Sequence, residues 1–115
     1  MQLTFPPDFV FGTSTAAAQI ETAFEHDWQG FISRDGNIFD TTTDHELRFA
    51  EDAAIIASLA PSYRMGLMWS RLQREPFGKL DEESGQQYHN FLQDLKSKKV
   101  QARRMGKRRE HSIVD

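Results

Sequence analysis

The groups in this chain of 115 residues that could move protons are 17 carboxylates and 4 histidines, and their spacing limits what they can do. General acid/base chemistry needs carboxyl groups that converge on one bond. The adjacent pairs Glu51-Asp52 and Glu82-Glu83 fall in stretches with helical patterning. Neighbours on a helix diverge by about 100°, so each pair reads as a solvated helix start and not as a reacting pair. His26, His45, His89 and His111 lack metal-ligand spacing of the His-Glu-x-x-His kind, so no metal site is expected. The absence of cysteine removes thiolate ligands and disulfides. Gly12-Thr13-Ser14-Thr15 is a weak echo of a phosphate loop without its lysine, and no nucleophile–base–acid triad can be assembled. Spacing alone singles out no further site. Gln19, taken by itself, reads as a structural or exposed side chain, although its amide offers a donor and an acceptor together. Arg64 stands among apolar neighbours and, if buried, requires a charged or hydrogen-bonding partner.

The elements that position them read as alternating strands and helices. Phe9–Thr13, a short apolar run after Pro6-Pro7, predicts a buried parallel strand. Residues 22–45 hold no strong period and predict a long loop. Thr43 and Glu46 have capping-box spacing, and Phe49, Ala53, Ile56 and Ala57 then share one helical face until Pro61 ends the helix. Tyr63, Met65, Leu67 and Trp69 alternate with Arg64, Gly66 and Met68, which predicts a second strand. After the Pro76-Phe77-Gly78 turn, Tyr88, Phe91, Leu92 and Leu95 line one face of a second helix, and Val100 opens a third strand. This order predicts an α/β fold of parallel βα units.

Phe5–Glu21 (FPPDFVFGTSTAAAQIE) and Tyr63–Leu72 (YRMGLMWSRL) together resemble the opening of glycoside hydrolase family 1, the β-glucosidase family. The resemblance implies a (β/α)8 TIM barrel, of which 115 residues hold the first two to three βα units, since a whole barrel takes roughly 250. It implies retaining hydrolysis of a β-linked sugar, with no metal or organic cofactor. It implies that Gln19, at the carboxyl end of the first strand, hydrogen-bonds the sugar, and that Arg64 reaches the carboxylate of the nucleophile. Trp69, Ser70 and Arg71 are expected to pack and support the barrel rim. Both catalytic residues of the family are glutamates, in Asn-Glu-Pro and Glu-Asn-Gly contexts, and neither context occurs here, so this chain is expected to be inactive alone. Ala18 stands where the family usually has Tyr, and Thr22 where it has Gly. Asp27-Trp28 resembles a sub-branch with a Trp after the first strand.

Charge divides the chain. Residues 1–95 carry 15 acidic against 6 basic side chains, a net −9, while residues 96–115 carry 8 basic against 2 acidic, a net +6. The resemblance holds through Gln101 and fades at Ala102, so residues 1–101 are expected to be barrel and 102–115 a basic tail from an altered reading frame or a truncated gene. A non-catalytic protein whose basic tail engages nucleic acid stays open as a different class, as does a sugar-transferring relative. Nucleic acid is not the expected partner, and unpaired sheet edges would favour self-association. No apolar run has membrane-spanning length, and the amino terminus lacks a basic start and a sustained apolar stretch, so a cytoplasmic location is expected.

Overall fold

Backbone pairing, more than apolar content, sets the strand limits in this computed structural model, which describes residues 1–22, 25–38 and 41–105. The first strand, β1, spans Gly12–Ser14 and pairs in parallel with β2, Ser62–Gly66, in the register Gly12↔Ser62 and Ser14↔Arg64. Phe9–Phe11, expected inside the strand, lie before it and are exposed. The register explains this correction. Phe11 falls opposite Pro61, before β2 begins at Ser62, and no further strand flanks β1 among the described residues. Phe5, Phe9 and Phe11 gather instead into a surface cluster with ring centroids 4.8–4.9 Å apart. Gly12 has a packing reason as well, since a Cβ there would sit 3.2 Å from the Ser62 carbonyl oxygen.

One helical turn, α1 (Ala17–Ile20), follows β1, and a long loop leads to a 3-10 turn at His45–Leu47. The capping box does not form. Thr43 Oγ1 donates to the Ile20 carbonyl at 3.3 Å, and Glu46 Oε2 accepts from the Thr22 amide at 3.0 Å, so both side chains tie the loop back to the α1 exit. Helix α2 (Phe49–Leu59) buries Ala53 and Ile56 as its period predicts, with Phe49 and Ala57 packed against the same core. The helix stops before Pro61.

In β2 and just beyond, the alternation holds for Tyr63 and Met65, which are buried, and for Leu67, which packs against the same core, and fails at Met68. Met68 turns inward and its amide donates to the Tyr88 hydroxyl at 3.2 Å, while Trp69 begins a short helix, α3 (Trp69–Leu72), and is exposed. Helix α4 (Glu82–Ser97) buries Tyr88, Phe91, Leu92 and Leu95 on one face, capped by Asp81 accepting from the Ser84 amide at 2.7 Å. Strand β3, Gln101–Met105, completes a parallel sheet in the order β1-β2-β3 and runs across the point where the resemblance fades. Residues 106–115, most of the basic tail, lie outside the described residues.

The core lies on one side of the sheet, where Tyr63, Met65 and Ala102 meet α2 and α4. Parallel strands ordinarily have both faces covered. The opposite face, carrying Ser14, Arg64 and Arg103, is exposed. Among the described residues, no helix is long and apolar enough to cross a membrane.

Candidate functional site

The two signature segments meet through a buried ion pair. Glu21, from Gln-Ile-Glu, leaves α1 pointing inward, and Arg71, from Trp-Ser-Arg, leaves α3 toward it. Arg71 Nη1 donates to Glu21 Oε1 at 2.8 Å, and the Tyr88 hydroxyl lies 2.7 Å from both Glu21 oxygens. Glu21 is 1% exposed, Arg71 3% and Tyr88 3%. Arg71 also donates to Gln87 Oε1, and its guanidinium lies 5.3 Å from the Phe49 ring centroid and 4.9 Å from that of Tyr88. Burial raises the Glu21 carboxyl above the ordinary glutamate range, while the Tyr88 hydroxyl and the Arg71 charge pull it back down. Burial and the neighbouring Glu21 push the Tyr88 hydroxyl well above the ordinary tyrosine range. The rim-support role expected for Arg71 thus has a partner that sequence reasoning did not name. The signal was there, since both residues close the two segments that carry the resemblance.

This clasp fixes the ends from which Gln19 projects. Gln19 lies on α1, just past the carboxyl end of β1, and is exposed. It lines an open pocket of ≈ 340 Å³ with Ala16, Ala18, Trp28, Phe31 and Ser33. Ser70 Oγ donates to the Glu25 carbonyl, which fastens the start of the Trp28 loop to α3. Thr22 holds the far end, its hydroxyl accepting from the Thr42 amide at 3.0 Å. Sequence reasoning does not reach the aromatic wall of this pocket, although it notes Asp27-Trp28.

Arg64 does not join that pocket. It projects from the exposed sheet face, at the register level of Ser14 and Arg103, and no hydrogen bond links it to Gln19. The apolar neighbours expected to bury it, Tyr63 and Met65, point to the other face.

One acidic pair departs from its expected solvated role. Asp52 Oδ2 lies 2.6 Å from His45 Nδ1, and the His45 ring is held edge-on by Phe49 and Phe91 at 4.7 and 4.9 Å. His45 is 2% exposed and its Nε2 has no hydrogen-bond partner among the described residues. It lines a separate pocket of ≈ 310 Å³ between β1 and α2 with Thr13, whose hydroxyl is also buried and has no partner among the described residues. Glu51, Glu82 and Glu83 are exposed at helix starts as expected, Glu51 making only a 3.4 Å contact with Arg48. Thr13 and Ser14 lie in β1 and not in a phosphate-binding loop. Among the described residues, no group of three His, Cys, Asp or Glu could hold a metal ion.

The family profile described as glycosyl hydrolase family 1 matches residues 1–103. The chain is 37% identical over 106 residues to beta-glucosidase A of Acetivibrio thermocellus, an alignment covering 82% of this chain and 23% of that protein. Its structure is similar to that of an aphid myrosinase, with a TM-score of 0.75 and 27% identity over 96% of this chain and 27% of the other. A family 1 b-glucosidase from Thermotoga maritima superposes with a TM-score of 0.77 at 24% identity, over 95% of this chain and 27% of that one, and shows the shared fold alone. The chain spans about a quarter of the length of the relatives it matches.

Proposed function

The chain belongs to glycosyl hydrolase family 1, and from that premise we propose that it forms the opening βα units of a retaining β-glycosidase, with β3 (Gln101–Met105) as the third strand although the expected sequence pattern fades at Ala102. Gln19 hydrogen-bonds hydroxyls of a β-linked sugar, and its amide can both donate and accept there. Arg64 faces the barrel interior, where its guanidinium holds and orients the carboxylate of a nucleophile supplied from outside these residues. The observation that carries this reading is the Glu21–Arg71–Tyr88 clasp, which joins both signature segments and leaves Gln19 open at the carboxyl end of β1. Barrel enzymes build their sites at that end of the strands.

Retaining hydrolysis needs two carboxyl groups about 5–5.5 Å apart. This sequence contains neither Asn-Glu-Pro nor Glu-Asn-Gly, so the 115-residue chain alone is expected to be inert. A chromogenic assay with aryl β-glucosides, run beside an intact family member, tests this. The expected result is no turnover above buffer. Turnover that scales with chain concentration and disappears on heating would overturn it.

A further inference from the structure

Beside Gln19, the loop after β1 presents two aromatic rings that the clasp does not use. Trp28 is 54% exposed and Phe31 49%. Their centroids lie 5.3 Å apart with planes at 79°, so one ring forms a floor and the other a wall. Backbone bonds hold the corner, with Phe31 N donating to the Trp28 carbonyl at 3.0 Å and Trp28 N to His26 Nδ1 at 3.2 Å. Beyond it the chain turns back at Gly36, whose φ of 81° suits glycine, with Ser33 N donating to the Asn37 carbonyl at 2.8 Å and a bridge pairing Ile32 with Ile38. Two half-exposed aromatics sharing a pocket with the Gln19 amide and Ser33 make a mostly apolar surface with few polar groups, the composition of a small-ligand site.

We infer that Trp28 and Phe31 form a stacking corner for a pyranose ring of the substrate, which makes them specificity-determining residues; this rests on the glycosidase reading of Gln19. A β-glucosyl ring carries its hydroxyls around the rim and presents C–H groups on both faces. An aromatic face packs against those C–H groups while the amide of Gln19 takes a rim hydroxyl. Ala18 lines the same pocket, and its single methyl group fills little of it.

The test is a fluorescence titration of the 115-residue chain with cellobiose, in a Trp69→Phe background that leaves Trp28 as the single indole. Trp69 is exposed, so that change spares the core. The expected result is a saturable change in Trp28 emission, with affinity lowered about fivefold in Phe31→Ala, the loss of one ring contact. Circular dichroism on each variant checks that the helices persist. Absence of a saturable change overturns the corner, as does an affinity unaltered in Phe31→Ala. If Gln19→Ala weakens binding and Phe31→Ala does not, the corner fails while the sugar-site reading of Gln19 stands.

Discussion

Glu21 and Arg71 are 50 positions apart and almost wholly out of water, so neither can lose the other without stranding a charge. Breaking a buried pair from one side costs about 3–5 kcal/mol, whereas replacing both members with apolar residues of similar volume often costs little. Arg71→Met is therefore expected to lower unfolding free energy by about 3–5 kcal/mol in urea denaturation. The double variant Glu21→Met with Arg71→Leu should lose less than the single one, and equal losses would contradict the clasp. Gln19 is exposed, so its substitution should act on chemistry and not on folding. In a full-length enzyme carrying this segment, Gln19→Ala is expected to lower kcat/KM at least about tenfold, or ~1.4 kcal/mol, with the Tm unchanged. At this scale the resemblance singled out Gln19 as a candidate and contained Glu21 and Arg71 in its two segments without naming their pairing. It could not supply the pairing of His45 with Asp52, because that contact depends on Phe49 and Phe91 enclosing the ring. Local sequence spacing carries no trace of such enclosure.

Helices α2 and α4 were legible because a period of 3.6 residues selects the same buried face in the sequence and in the fold. Strand β1 was not, since its limits depend on what stands opposite, and β2 begins only at Ser62, opposite Gly12. The alternation read through Trp69 failed for a similar reason, because Met68 is drawn in by the Tyr88 hydroxyl. Two predictions belong to α4. Gly85 lies inside the helix, and among the described residues a methyl group added there would meet nothing within 4 Å, so Gly85→Ala should raise stability by about 0.5–1 kcal/mol in thermal or urea unfolding. Asp81, the cap, is held below the ordinary aspartate range by the amide and hydroxyl of Ser84. A depressed folded value means that the cap stabilises the helix above the unfolded pKa and is lost as pH falls through the folded one. Helicity should drop in that acid window, and an Asp81→Ala variant should lack that step.

The order of three parallel strands followed from strand–helix alternation, but sequence pattern could not show how one-sided the packing is. Among the described residues, every buried apolar side chain of the core belongs to the side holding α2 and α4, while Arg64 and Arg103 face away from it. A sheet with an open face and an unpaired β1 edge is a template for association. The isolated chain is therefore expected to self-associate, and sedimentation as a clean monomer with a cooperative melt above about 50 °C would contradict that expectation. The central claim is that residues 1–101 supply the sugar-binding start of a β-glycosidase barrel. Exchanging them for the matching segment of Acetivibrio thermocellus beta-glucosidase A and assaying an aryl β-glucoside tests it most directly. The account predicts a folded hybrid that hydrolyses the glucoside with retention and loses activity in Gln19→Ala. A folded hybrid that is inert, or one indifferent to Gln19→Ala, would contradict it.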